Sequence, residues 1–147
     1  MATLAQFSRN IRKRGSQVEN SSKRIVQEVS KRSLRALVNG TKVDKGVARS
    51  NWRVGIGAPT RAVISAYVPY PKGSQANGQG AGERANAGAA ISAGLARINS
   101  LPRGPLTTSV YISNAVPYPK TAFPAGMISA ALQEGRLVIR AFRVFER

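Results

Sequence analysis

The chemistry open to this chain is limited first by what it lacks. Its 147 residues include no histidine and no cysteine. Ser-His pairs, thiol nucleophiles, and metal centres built on imidazole or thiolate are therefore excluded, as is a disulfide scaffold. The acidic residues are Glu19, Glu28, Asp44, Glu83, Glu134 and Glu146. No two of them stand at a spacing that forms a local acid/base pair. Glu83, beside Arg84, reads more simply as a charge in the first turn of a helix. The stretch Gly-Gln-Gly-Ala-Gly-Glu-Arg at 78–84 has the glycine content of a phosphate loop. It lacks the Gly-Lys-Ser/Thr ending and has no clear strand before it, so it is not read as one. The expectation is a non-enzymatic protein with no cofactor and no metal.

What the chain has in excess is positive charge: 23 Lys+Arg against 6 Asp+Glu, a formal +17. Such a surplus favours polyanions or acidic protein surfaces as partners. The first fifty residues hold twelve Lys/Arg, and Arg136, Arg140, Arg143 and Arg147 fall in the last dozen. Because the cations run along the whole chain, direct nucleic-acid contact and complementarity to acidic neighbours both stand. The contact candidates are Arg9, Arg12, Lys13, Arg14, Lys23, Arg24, Lys31, Lys42 and Lys45.

The elements that position these residues follow from periodicity. Leu4, Phe7, Ile11, Val18, Ile25, Val29 and Ala36, with Leu37 beside it, recur at steps of three, four or seven, which predicts a long basic helix over 3–38. Glu19–Lys23 and Glu28–Arg32 are i,i+4 pairs in the favourable order. Gly15 and Ser22 interrupt the stripe, so the N-terminal half packs less firmly or packs on a partner. Asn39-Gly40 reads as the C-cap. Residues 41–51 read as a polar connection, and Trp52-Arg53-Val54-Gly55-Ile56-Gly57 as a strand with Trp52 in the core. Residues 67–82 read as a long Gly/Pro-rich surface loop. Residues 83–98 form a helix along Ala87, Ile91, Leu95 and Ile98, whose glycines allow a close neighbour. Residues 106–114 have strand propensity. A last helix opens at Met127 and runs to about residue 134, with 135–147 either continuing it or forming a strand.

The fold expected is α+β: a long N-terminal helix packed on a small, mainly antiparallel sheet, with two further helices, in one domain spanning 1–147. A chain this long buries roughly 68–70% of its unfolded surface, and 42% hydrophobic residues support one modest core. No run of about 18 apolar residues exists for a membrane span. The N-terminus has no apolar segment of signal-peptide length, so synthesis and use in a cytoplasm are expected. Val-Pro-Tyr-Pro-Lys occurs twice, at 68–72 and 116–120. Proline on both sides keeps Tyr70 and Tyr118 extended and unable to join a ladder. The contexts differ, one before a Gly-rich loop and one after a strand, so these are two interface candidates rather than a duplicated module.

At Val43–Pro59 the chain resembles the tail-completion, or neck, family of tailed bacteriophages, relatives of the lambda minor tail protein Z. Thr41, Val43, Asp44, Gly46, Ala48, Arg49, Ser50, Asn51 and Trp52 match the family's signature, while Lys42 and Lys45 replace its usual Pro and Thr. "AYVPYPKGS" (66–74), "VYISNAVPY" (110–118) and "FPAGM" (123–127) are similar to three further blocks, in the family's order. A Leu-Glu-x-Gly and Ser-x-Gln segment usual in the family is missing between Tyr118 and Phe123. Any partner contact made through that acidic loop does not carry over.

The resemblance implies a virion structural protein at the head–tail junction, present in the host cytoplasm during assembly. It implies a ring around the DNA channel, next to portal or connector and to tail tube or terminator proteins. Sequence-independent contact with double-stranded DNA in the channel is implied as well. The signature residues, with Tyr70, Lys72, Asn114, Tyr118 and Lys120, are candidates for fold-building or for subunit contact. Asp44 and Gly46 suit a tight turn, and Arg49 and Asn51 are placed to fix a helix–strand junction by hydrogen bonds. The rival expectation is a free basic nucleic-acid-binding protein, such as a packaging or ribosome-associated factor.

Overall fold

The apolar period of the N-terminal segment becomes one continuous helix, α1 (Leu4–Gly40), of 37 residues and about 55 Å at 1.5 Å per residue. The computed structural model describes residues 4–42, 46–69, 81–102, 108–117 and 123–145, with backbone alone at 81, 83 and 137–145. After α1 come a one-turn helix α2 (Val47–Ser50), strand β1 (Arg53–Ile56), helix α3 (Ala81–Asn99), strand β2 (Val110–Ser113) and helix α4 (Met127–Phe145). The strands form a two-stranded antiparallel sheet in which Arg53 faces Ser113, Val54 faces Ile112, Gly55 faces Tyr111 and Ile56 faces Val110. This is an α+β fold: the long helix lies on the small sheet and is flanked by α3 and α4.

The C-terminal half of α1 is the spine of the core. Leu34, Leu37 and Val38 pack with Trp52 and Val54 of the β1 region, Ala87, Ala90 and Ile98 of α3, and Met127 and Ala131 of α4. Small residues let the helices approach. A Cβ on Gly94 would run into the Leu34 side chain, and one on Gly40 would lie 2.9 Å from Met127 Cγ. α4 runs antiparallel to α1: Met127 lies at Gly40, Ala131 O accepts from Ser33 Oγ at 3.2 Å, and Gly135 lies at Val29. Trp52 and Phe123 add a tilted ring contact with centroids 5.3 Å apart, a geometry that aromatic pairs favour.

Several local expectations change, and the alternative left open beyond residue 134 is resolved up to Phe145. Residues 46–51 are not a polar connection: they form α2 and its ends, and Gly46, Ala48, Arg49, Ser50 and Asn51 are buried. Their polar groups point inward because buried partners await them. Gly40 ends α1 but is not in the left-handed conformation of a C-cap glycine. The closeness of Met127 and side chains from later in the chain set that end instead. Glu28 pairs with Lys31 at 3.0 Å rather than with Arg32, and Lys23 turns to the carbonyls of Leu101 and Pro102, just after α3, rather than to Glu19. Beyond residue 134 the chain stays helical to Phe145, whereas β2 starts only at Val110.

Candidate functional site

Where α1 stops, its last carbonyls have no partner within the helix, and the chain must reverse into β1. Three side chains solve both problems. The Thr41 hydroxyl donates to Leu37 O at 2.7 Å and accepts from Trp52 Nε1 at 2.7 Å. Arg49 Nη2 donates to Thr41 O at 2.9 Å and Asn39 O at 3.4 Å. A guanidinium there also meets the negative end of the helix dipole. Gly46, at φ 76°, supplies the left-handed residue that starts α2, a conformation favouring glycine.

From α2 onward, asparagines replace strand neighbours. Residues 58–69 run without regular secondary structure, so their backbone groups need other partners. Asn51 answers Ile64 as a strand would: Oδ1 accepts from Ile64 N and Nδ2 donates to Ile64 O, both at 2.7 Å. Asn86 of α3 does the same for Val68, both bonds at 2.8 Å, and its Oδ1 also accepts from Ser50 Oγ at 3.0 Å. Asn114, after β2, donates from Nδ2 to Ala48 O at 2.7 Å. Each bond contributes on the order of 0.5–1.5 kcal/mol, but orphaning a buried partner costs about 1–3 kcal/mol.

The signature candidates that are described therefore meet at one place. Thr41, Gly46, Ala48, Arg49, Ser50, Asn51 and Trp52 are buried, and Asn114 is half-buried beside them. In this chain they hold α1, α2, β1 and the 58–69 segment together; a neighbouring subunit would feel them only through the shape they maintain. Val43, Asp44, Lys45, Tyr70, Lys72, Tyr118 and Lys120 lie outside the described residues. Asn86 belongs to none of the sequence motifs. Its signal was a lone polar residue one turn before Ala90 on the buried face of an Ala/Gly-rich helix.

The cationic candidates divide by environment. Arg9, Arg12, Lys13, Arg14, Arg24 and Lys42 are exposed, as are Arg32 and Arg35. From Arg9 to Arg35 these charges extend along α1 for about 39 Å. Lys23 and Lys31 are half-buried and engaged. Lys23 Nζ donates to Leu101 O at 2.9 Å and Pro102 O at 3.0 Å, tying the chain just after α3 to α1. Lys31 is held by Glu28.

A cleft of about 400 Å³ opens between β1, α3 and the 58–69 segment, with Arg53, Arg97 and Tyr67 in its lining. Its lining, among the described residues, includes two arginines and no carboxylate. Among the described residues, no three of His, Cys, Asp or Glu come together, and no helix is long and apolar enough to cross a membrane. Compared with known proteins, the chain matches no family model, no curated protein and no solved structure.

Proposed function

We propose that this chain is a non-enzymatic structural protein of a tailed-bacteriophage neck, assembling as a ring around the DNA channel and joining connector to tail. The observation that carries the reading is the Thr41–Trp52 block followed in order by the blocks at 66–74, 110–118 and 123–127. What the described part of that first block does in the fold supports it: these residues fix the angle at which a long helix leaves a small sheet. A ring component needs such fixed geometry, because a heterologous interface closes only when each subunit presents the same rotation to the next.

The charge has two uses in this reading. Exposed cations on α1 contact phosphates without reading sequence, and they complement acidic faces of portal, connector or tail-tube neighbours. The protein is then found in the virion neck, and in the host cytoplasm before assembly.

The test is mass measurement of the purified chain, alone and with its neighbours, together with proteomics of purified virions. The reading predicts a ring of uniform copy number, or a neck-bound protein in virions. A chain that stays monomeric, binds DNA tightly with steep salt dependence and is absent from virions would instead be the free nucleic-acid-binding protein.

A further inference from the structure

All residues from Leu4 to Asn20 of α1 are exposed, yet their apolar side chains do not scatter. Leu4, Phe7, Ile11 and Val18 are 82%, 60%, 54% and 66% exposed, and their spacing puts them on one face. The line continues past half-buried Ile25 to Val29, Ser33 and Gly40, which meet Gly135, Ala131 and Met127 of α4. The arm thus prolongs a seam that, further along, another helix covers.

We propose that this arm is the docking site for an acidic helix of another protein, laid on the stripe as a continuation of α4. Charge selects the partner. Residues 4–20 carry Arg9, Arg12, Lys13 and Arg14 against Glu19, so 4 − 1 gives a net +3. Arg14 borders the stripe and Arg12 stands further round the helix on the opposite side, its long side chain reaching back toward acidic residues beside a partner's apolar stripe. A second copy does not fit: it would bring another +3 against the first, and the six acids of this chain are spread singly rather than clustered. Duplex DNA fits less well, because phosphates need cations and leave an aligned apolar stripe in water. The inference rests on the neck reading for which neighbour supplies the helix, but the docking chemistry does not depend on it.

The test uses the full-length chain and a labelled synthetic helix of about 20 residues, with Leu at a and d positions and Glu at e and g. Fluorescence anisotropy is followed at about 0.1 M salt, where exposed charges are screened beyond about 10 Å. The acidic striped peptide binds the parent chain. Scrambling its stripe at constant charge weakens binding about tenfold or more, and so does the Phe7→Ser, Ile11→Ser double substitution. Arg12→Glu with Arg14→Glu weakens binding and flattens its salt dependence. Circular dichroism checks that each variant keeps its helix content, and Val18→Ser provides an independent substitution on the same stripe.

Several results overturn the proposal. One is equal binding by the scrambled peptide or by the Phe7→Ser, Ile11→Ser chain; another is no binding by the parent at about 100-fold the concentration expected for a micromolar complex. Self-association abolished by the stripe substitutions assigns the arm to a second copy. A DNA affinity that falls with those substitutions, without peptide binding, assigns it to nucleic acid. Absence from virions would remove the neck reading and leave the peptide result standing.

Discussion

From Ser30 to Val38, α1 buries Ser30, Leu34, Leu37 and Val38; from Leu4 to Asn20 it buries nothing. The two halves belong to one helix and carry similar apolar spacing. What separates them is what faces them. The C-terminal half lies against α3, α4 and the sheet, and its end is fastened by Thr41 and Arg49. The N-terminal half has no such neighbours among the described residues and includes Gly15, around which space is open. Helical periodicity therefore announces a face that can be covered, while packing decides whether it is. Since most helical stability in proteins comes from such packing, the arm is the part of α1 that folding least requires.

Breaking the anchored half has the largest effect. Leu34 is fully buried and touches the position of Gly94, so Leu34→Ala lowers unfolding free energy by about 2–5 kcal/mol. Denaturant titration of purified protein measures it. The junction comes next. Asn51→Ala leaves the Ile64 N–H and C=O without their side-chain partner and costs about 1–3 kcal/mol, read in the same titration. The arm comes last: the Phe7→Ser, Ile11→Ser chain unfolds within about 0.5 kcal/mol of the parent, as exposed substitutions do. A loss there as large as that of Leu34→Ala would erase the distinction between the halves.

The parts legible in the sequence are those set by local rules. The long period of α1, the alternation around Trp52 and Val54, and the Ala87–Ile98 line are short-range signals, and each became the element expected. The weakness of the α1 stripe at Gly15 and Ser22 also marked the half that is not packed. What stayed hidden depends on residues far apart in the chain. Nothing near Lys23 announces that its ammonium holds carbonyls 78 and 79 residues later. Residues 46–51 look like a polar connection because the groups they bond, on Thr41, Ile64 and Asn86, lie outside the segment. Beyond residue 134 the sequence alone leaves helix and strand open, because Leu137, Val138, Ile139, Phe142 and Phe145 suit a strand as well as a helix.

In the candidate site, the resemblance marked Thr41, Arg49, Ser50, Asn51, Trp52 and Asn114 as a group, and side-chain chemistry supported hydrogen-bonded junction roles for Arg49 and Asn51. It did not reveal that asparagines stand in for missing strands along 58–69. That role is visible only once Asn86 of α3 is seen bonded to both Ser50 and Val68.

The docking proposal depends on α1 being anchored at one end and solvent-exposed from Leu4 to Asn20 at the other. Hydrogen exchange along α1 of the isolated full-length chain, resolved by mass spectrometry, tests this division most directly. Amides from Ser30 to Val38 should open only with global unfolding, while those from Leu4 to Asn20 exchange orders of magnitude faster through local fraying. Uniform slow exchange from Leu4 to Val38 in the monomer would contradict the account, because it would mean that the chain itself already covers the arm.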